Sequence, residues 1–136
     1  ETAQRKIESQ NIRNIALKNV LADEFSFDKT FGLESPFDAA FFSFSISMIP
    51  PWKESIENAL ANIKGGSSLY IVDFFDQRDL PAWFRRILQK WLEQFHVKYP
   101  RDLIPYLEDL ESKGAGSLAV KPIFKSYSFI AEFKKA

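Results

Sequence analysis

The sequence predicts an α/β fold in which a largely parallel sheet ends in an antiparallel hairpin. Residues 38–47 form a mainly apolar run and residues 68–75 a nearly all apolar one, and a helical pattern separates them. Apolar strands joined by a helix are typical of parallel sheets that are covered on both faces. Two more runs, 118–124 and 126–133, are joined tightly around Lys125 and predict the hairpin.

Composition and charge exclude several classes of function. Among 136 residues, 18 Lys and Arg balance 18 Asp and Glu, so nucleic-acid binding by phosphate neutralisation is not favoured. Cysteine is absent and there is one histidine, so we expect no metal site. No apolar run is long enough to span a membrane. We expect one domain in a reducing, cytoplasmic compartment.

Aromatic residues are unusually frequent, because 14 Phe, four Tyr and three Trp make up 15% of the chain. A Phe-rich core explains most of these rings. A pocket lined with ring faces would also suit a cation, such as a sulfonium or quaternary ammonium group. Both explanations can hold at once.

The first part of the chain predicts a helix, a strand and a loop. Residues 1–9 have the composition of a helix, and residues 15–21 are a candidate strand. Residues 26–36 contain Gly32 and Pro36 among polar side chains, which indicates a loop.

A helix follows the strand predicted at residues 38–47. Pro50-Pro51 breaks the chain and is suited to a helix N-terminus. Apolar residues then recur at helical spacing, namely Trp52, Ile56, Ala59, Leu60 and Ile63. Gly65-Gly66 predicts a left-handed cap that ends this helix before the strand at 68–75.

Two more helices are predicted before the hairpin. Residues 80–95 carry a wide apolar face and an opposite charged face. Residues 96–100 interrupt this pattern. Apolar positions between 103 and 110 then indicate a shorter helix, which ends near Gly114.

Three segments resemble the class I S-adenosylmethionine-dependent methyltransferases. They are residues 37–48 (FDAAFFSFSISM), the helix end at 63–66 (IKGG) and residues 69–74 (LYIVDF). The likeness is greatest to methyltransferases that act on lipid head groups, notably betaine-lipid N-methyltransferases, and weaker to quinone-biosynthesis C-methyltransferases. It implies a Rossmann-like sheet, with residues 116–134 as its reversed terminal hairpin, and S-adenosylmethionine as cofactor.

The resemblance also assigns each element a place in that fold. Residues 1–9 would be the second helix, and residues 15–21 the third strand. Residues 38–47 and 68–75 would be the fourth and fifth strands. Residues 78–100 would be a helical insertion that caps the substrate side.

Residues 1–136 would then be the carboxyl-terminal two thirds of one methyltransferase domain. The family's glycine-rich loop and the acidic residue after its second strand have no counterpart here. Gly114-Ala115-Gly116 precedes a strand rather than opening a helix, so it indicates a helix stop. The chain begins with Glu1 and looks cut. We expect an active intact gene product, and weak cofactor binding by this chain alone.

The resemblance implies two groups of cofactor-binding residues. In the first, Asp23 would accept a hydrogen bond from the adenine amine, with Ala22 and Glu24 beside it. The alternative is a solvated loop acid or a helix cap. The second group is Ser43, Phe44 and Ser45, which would lie beside the sulfonium and the incoming nucleophile. Alternatively, these serines satisfy nearby backbone groups.

The same resemblance places Met48 and Trp83 on the substrate side. His96 is a candidate general base for an amine proton. It would otherwise stabilise the carboxyl end of the helix that precedes it.

The helix predicted at residues 80–95 has two interpretations. Its apolar face and the basic residues Arg85, Arg86 and Lys90 would suit a membrane interface and a lipid substrate. Alternatively, the apolar face packs on the domain.

Three acidic residues before this helix, Asp73, Asp76 and Asp79, are spaced by three. Because they lie at a predicted strand end and in the loop that follows, we interpret them as solvated acids.

The sequence therefore predicts a methyltransferase of lipid metabolism that transfers a methyl group to a small molecule or a lipid head-group amine. The alternative is a catalytically incompetent, methyltransferase-like interaction module. In that case a strand left without its partner would pair with another chain. We accordingly expect a homodimer, a swapped strand or a disordered amino terminus.

Overall fold

The computed structural model describes residues 2–74, 82–83, 86–87, 90, 101–123 and 128–136. The elements with defined bounds are α1 (Thr2–Ser9), β1 (Phe37–Ser43), a 3₁₀ turn (Ile46–Met48), α2 (Trp52–Asn62), β2 (Ile63–Phe74), α3 (Leu103–Ser112), β3 (Gly116–Ile123) and β4 (Ser128–Lys135).

The strands form one sheet in the order β1-β2-β4-β3. β1 and β2 are parallel, with Ala40 beside Leu69 and Phe42 beside Ile71. β4 is antiparallel to both of its neighbours, so β1, β2 and β3 run in one direction and β4 is reversed. The predicted α/β sheet with a terminal antiparallel hairpin is therefore confirmed.

The core lies on one face of this sheet. Leu69 and Ile71 of β2 are fully buried there, together with Phe129, Ala131 and Phe133 of β4. Other large buried side chains are Ile56 of α2, Leu103 and Leu107 of α3, Ile46 of the 3₁₀ turn and Ile63 at the start of β2. Each such side chain contributes roughly 1.5–3 kcal/mol on burial.

The opposite face is covered less well than the sequence predicts. Phe41 of β1 is 75% exposed, and its neighbour Tyr70 on β2 is 37% exposed. Next to them, the hydroxyls of Ser68 and Tyr70 donate to the Glu132 carboxylate at 2.7 and 3.1 Å. Among the described residues this face is therefore less covered than the core face, and the expected burial on both faces is not seen at Phe41 and Tyr70.

The predicted strand at residues 15–21 is also wrong. The segment makes no sheet pairing, and all of its residues are exposed, including Leu17 at 46% and Leu21 at 62%. A strand needs a hydrogen-bonding neighbour, and among the described residues only β2 pairs with β1. Apolar content alone therefore does not produce a strand here.

The glycine pair after α2 does not cap the helix as predicted. α2 ends at Asn62, and Ile63 is already extended, with φ −102° and ψ 155°. Gly65 and Gly66 lie inside β2, where Gly66 has φ +77°. The pairing of β1 with β2 shifts register at this point, so the glycines accommodate a bulge rather than a helix end.

Gly114, in contrast, ends α3 as predicted. It has φ +78°, and its N–H donates to the carbonyl of Glu111 while the N–H of Ala115 donates to that of Leu110. These two bonds define a Schellman motif. β3 then begins at Gly116, which confirms that Gly114-Ala115-Gly116 is a helix stop.

Part of the helix predicted at residues 80–95 can be checked. Residues 82, 83, 86, 87 and 90 are helical. The rest of that range lies outside the described residues, as do residues 96–100 and 124–127. Nowhere in the described ranges is there a helix with the length and apolar content needed to cross a membrane.

Candidate functional site

The candidate site is built where β1 and β2 end. Because these strands are parallel, their carboxyl ends meet at one edge of the sheet, which is where α/β folds bind ligands. The ladder extends to Phe44, whose N–H donates to the carbonyl of Val72 at 2.7 Å. Phe44 then turns the chain away with φ +49°, so the strand ends at Ser43 and not at residue 47 as predicted.

Aromatic packing supports this reversal at Phe44. The ring of Phe44 lies 5.2 Å from the ring of Phe74, at 55° to it. A positive φ is unfavourable for a residue with a side chain, and such residues are concentrated at functional sites. The carboxyl edge therefore carries a strained residue at a position that the sequence assigned to the cofactor.

A 3₁₀ turn follows Phe44 and presents the next predicted residues. Met48 donates its N–H to the carbonyl of Ser45 at 2.9 Å, and Ile49 donates to Ile46 at 3.2 Å. The Ile46 side chain is buried in the core and fixes the turn to it. Met48 remains 56% exposed, and Ser45 is half-buried. Both are accessible at the carboxyl edge.

Asp73 lies behind this turn and is fully buried. Its Oδ2 accepts the N–H of Ser47 at 2.9 Å, and its Oδ1 accepts the N–H of Phe74 at 2.8 Å. The prediction of a solvated acid at this position is wrong. Asp73 follows Leu69 and Ile71 at intervals of two, and that alternation was the signal that could have placed it on the buried face.

The first group of predicted cofactor residues lies elsewhere along β1. The Asn58 side-chain amide donates to the carbonyls of Ala22 and Phe25, at 3.1 and 3.0 Å. The centre of the Phe25 ring also lies 6.2 Å from that of Phe37, the first residue of β1. Asp23, which is half-buried, therefore sits on a turn anchored to the second half of α2, beside the start of β1.

The structure thus places the predicted cofactor residues in two regions. Ala22, Asp23 and Glu24 lie toward the amino end of β1, whereas Ser43–Ser45 lie at its carboxyl end. Their roles remain predictions.

An apolar groove of about 330 Å³ lies beside the first of these regions and is lined in part by Ala22. It runs along β1 under the segment that leads to Asp23. The rings of Phe31 and Phe37 meet edge to face at its wall, 5.3 Å apart. Its lining consists of Val20, Leu21, Ala22, Phe25, Phe31, Phe37, Ala39, Ala40 and Phe41. Such a groove can hold a planar ring or an aliphatic group, and it offers ring faces to a cation.

Two other predicted site residues lie outside this geometry. Trp83 is 67% exposed on the helical residues between 82 and 90, and His96 lies outside the described residues. In the ranges that the structure describes, no three His, Asp or Glu residues gather where they could hold a metal ion.

Comparisons by sequence and by structure give different results. No protein-family model matches the sequence, and neither does any curated protein. Solved structures do match. One is an rRNA methylase from Streptococcus thermophilus, with TM-score 0.52, 15% identity, and 97% of this chain and 64% of that chain covered.

Two further solved structures are similar to the chain. The N-methyltransferase NodS from Bradyrhizobium japonicum WM9 has TM-score 0.59 and 13% identity over 97% of this chain and 66% of its own. SMU.1697c from Streptococcus mutans, a methyltransferase by its description, was solved in complex with SAH. It has TM-score 0.53 and 17% identity over 98% of this chain and 68% of its own.

These structures share a fold with the chain. Identities of 13–17% establish architecture and not chemistry. The chain has a Rossmann-like sheet of the same fold as these methyltransferase structures, and it spans 64–68% of the length of these three proteins.

Proposed function

We propose that the protein transfers a methyl group from S-adenosylmethionine to a small molecule or a lipid head-group amine in the cytoplasm. The observation that carries the proposal is the sheet order β1-β2-β4-β3 with β4 reversed, in a chain whose structural neighbours are methyltransferases. One of those neighbours was solved with SAH. The acceptor class comes from the sequence resemblance, since the neighbours' own descriptions range from rRNA methylase to N-methyltransferase.

The residues present are suited to such a cofactor. The groove beside β1 offers Phe25, Phe31 and Phe37 to a planar ring, and Ala22, which precedes Asp23 in the chain, also lines it. A carboxylate beside an apolar slot can accept a hydrogen bond from an exocyclic amine. Ser43 and Ser45 would then orient the acceptor at the carboxyl edge.

The cofactor would supply an activated sulfonium methyl group, so the protein's task is alignment. Alignment of reacting groups can contribute roughly 7–11 kcal/mol to a lowered barrier. In this proposal Ser43 and Ser45 hold the amine by hydrogen bonds, and Phe44 excludes water next to them. His96 is the proposed base for the amine proton.

Calorimetric titration of the full-length protein with S-adenosylhomocysteine tests the proposal. We expect binding that Asp23→Ala weakens about 10- to 100-fold, because one charge-assisted hydrogen bond contributes roughly 1.5–3 kcal/mol. Glu34→Ala, at an exposed loop position, is the matched control and should bind like the wild type. Unchanged affinity in Asp23→Ala would remove Asp23 from the site. No binding by the wild type would defeat the function.

A non-catalytic interaction module is the second candidate. It is favoured by the outer edge of β1, which pairs with none of the described residues, and by the exposed apolar segment 15–21. Unpaired strand edges readily bind other strands. A protein that dimerises but binds no S-adenosylhomocysteine would support this candidate over the enzyme.

Peripheral membrane contact is part of the proposal for a lipid substrate. Trp83 and Ile87 are four residues apart and 67% and 61% exposed, with Arg86 and Lys90 exposed beside them. An exposed aromatic and basic surface of this kind suits an anionic bilayer. Co-sedimentation with vesicles that contain phosphatidylglycerol should therefore exceed that with phosphatidylcholine alone, and Arg86→Ala should weaken it.

A further inference from the structure

Asp73 occupies a position at which the surrounding face is otherwise apolar. Leu69, Ile71 and Asp73 alternate along β2, and all three are completely buried. Asp73 pairs in register with Phe129 of β4, which is also fully buried. An aliphatic side chain would fill this position without the cost of burying a carboxylate.

Two backbone groups compensate for that cost. The N–H of Ser47 donates to Oδ2 at 2.9 Å and the N–H of Phe74 donates to Oδ1 at 2.8 Å. One donor belongs to the turn after β1, and the other belongs to β2 itself. The carboxylate therefore connects the carboxyl ends of the two parallel strands, on the side of the sheet that holds the core.

The turn that Asp73 holds is attached to the protein at three places. The N–H of Phe44 bonds to Val72, Ile46 is buried in the core, and Ser47 bonds to Asp73. Ser45 lies between the attachments at Phe44 and Ile46, and Met48 follows the attachment at Ser47. Ser45 is half-buried and Met48 is exposed. Their positions depend on the backbone that Asp73 fixes.

We propose that Asp73 is a positioning residue, which sets the turn carrying Ser45 and Met48 so that the methyl acceptor is aligned with the donor. The inference rests on the proposed function and extends it to a residue that contacts neither substrate. A shift of about 1 Å in such a turn can change a rate by about 100-fold, while the cofactor is bound by other parts of the protein.

Kinetics of the full-length protein test this role, with Asp73→Ala and the isosteric Asp73→Asn. Asparagine retains one acceptor oxygen, so it keeps one of the two hydrogen bonds and serves if the alanine variant does not fold. We expect kcat to fall about 10- to 100-fold in Asp73→Ala and less in Asp73→Asn, with S-adenosylhomocysteine affinity unchanged. Asp38→Asn is the control, because its side chain is 90% exposed and pairs with Lys64.

The outcomes separate the two proposals. If the wild type binds no S-adenosylhomocysteine and transfers no methyl group, the proposed function fails. If the wild type is active and both variants keep wild-type kcat below their melting temperatures, Asp73 is only structural and the inference is overturned. Amide hydrogen exchange gives a readout independent of activity: the Ser47 amide should exchange faster in Asp73→Ala, which removes both acceptor oxygens, while that of Met48 changes less. Unchanged exchange at Ser47 would also contradict the role.

Discussion

The Asn62 side chain accepts the backbone N–H of Phe27 at 2.8 Å, although 35 residues separate them. The same side chain, which is only 7% exposed, donates from its amide to the carbonyl of Phe25 at 3.3 Å and to that of Asn58 at 2.9 Å. Asn58 in turn binds Ala22 and Phe25. Two asparagines of α2 thus bind the backbone of residues 22–27, the segment that contains Asp23 and contributes Ala22 and Phe25 to the groove.

We expect Asn62→Ala to lower the free energy of unfolding by about 1–3 kcal/mol. The substitution leaves the N–H of Phe27 without its partner, and an unpaired buried polar group costs about that much. Urea denaturation of the 136-residue chain measures the change. Asn14→Ala, at an exposed position, should change stability by less than about 0.5 kcal/mol, and equal effects of the two substitutions would contradict the anchoring role.

Gly116 and Gly65 provide a second, paired prediction. A Cβ at residue 116 would lie 2.7 Å from Cε1 of Phe133 and closer still to the carbonyl oxygen of Lys134, whereas one at residue 65 would lie 3.4 Å from the carbonyl oxygen of Ala136. Gly116→Ala should therefore destabilise the chain by about 1–3 kcal/mol or more through overpacking, and Gly65→Ala should be tolerated. Thermal unfolding followed by circular dichroism compares them. Similar melting temperatures would show that β3 can shift without cost.

The phenol of Tyr106 should ionise at an unusually high pH. Burial raises the pKa of Tyr106 above its ordinary value of 10.0, and so does the hydrogen bond that it donates to the Glu57 carboxylate at 2.7 Å. In the unfolded chain the phenol loses its proton near pH 10, as model peptides do. Above that pH the folded state binds more protons than the unfolded state, so stability falls as pH rises, and below it the contribution is constant.

Absorbance titration tests the behaviour of Tyr106. The difference between the titrations of the wild type and Tyr106→Phe gives the ionisation of Tyr106. Its midpoint should lie at higher pH than the midpoint of tyrosine ionisation in the chain unfolded in denaturant. Urea denaturation above pH 10 should also show a smaller loss of stability with pH in Tyr106→Phe than in the wild type. If this difference titration has its midpoint at the ordinary tyrosine pKa of 10.0, the hydrogen bond with Glu57 does not form in solution.

Much of the fold followed from periodicity in the sequence. The apolar content of residues 68–75 and the helical spacing before them reflect contacts that form locally or between adjacent elements. Two predictions failed for non-local reasons. Residues 15–21 have the apolar content of a strand, but pairing depends on a neighbour that lies beyond the segment. Gly66 has the conformation expected of a cap, but the bulge that uses it is set by the register with β1.

The candidate site was less predictable than the fold. The resemblance pointed to Ser43–Ser45 at the carboxyl edge, and the end of β1 at Ser43 agrees with that position. Asp73 was misplaced because strand ends usually carry solvated acids, and its burial depends on the turn that folds over it. Asn58 and Asn62 carried no signal, because their partners lie more than 30 residues earlier in the chain.

The outer edge of β1 gives the last prediction, which concerns association. None of the described residues pairs with this edge, Phe41 on it is 75% exposed, and Ile15 and Leu21 of the unpaired segment 15–21 are also exposed. An apolar edge without Lys or Pro to block it tends to bind another strand. We expect the 136-residue chain to dimerise with rising concentration, as measured by multi-angle light scattering.

Lysine substitution at Phe41 should shift this equilibrium toward the monomer, because a charged side chain on an edge strand disfavours pairing. Val120→Lys is the matched control, since Val120 is a 37% exposed apolar residue on β3, at the other end of the sheet. If both substitutions dissociate the dimer equally, nonspecific apolar contact drives association. A wild-type chain that stays monomeric at all concentrations would show that the edge of β1 is protected in solution.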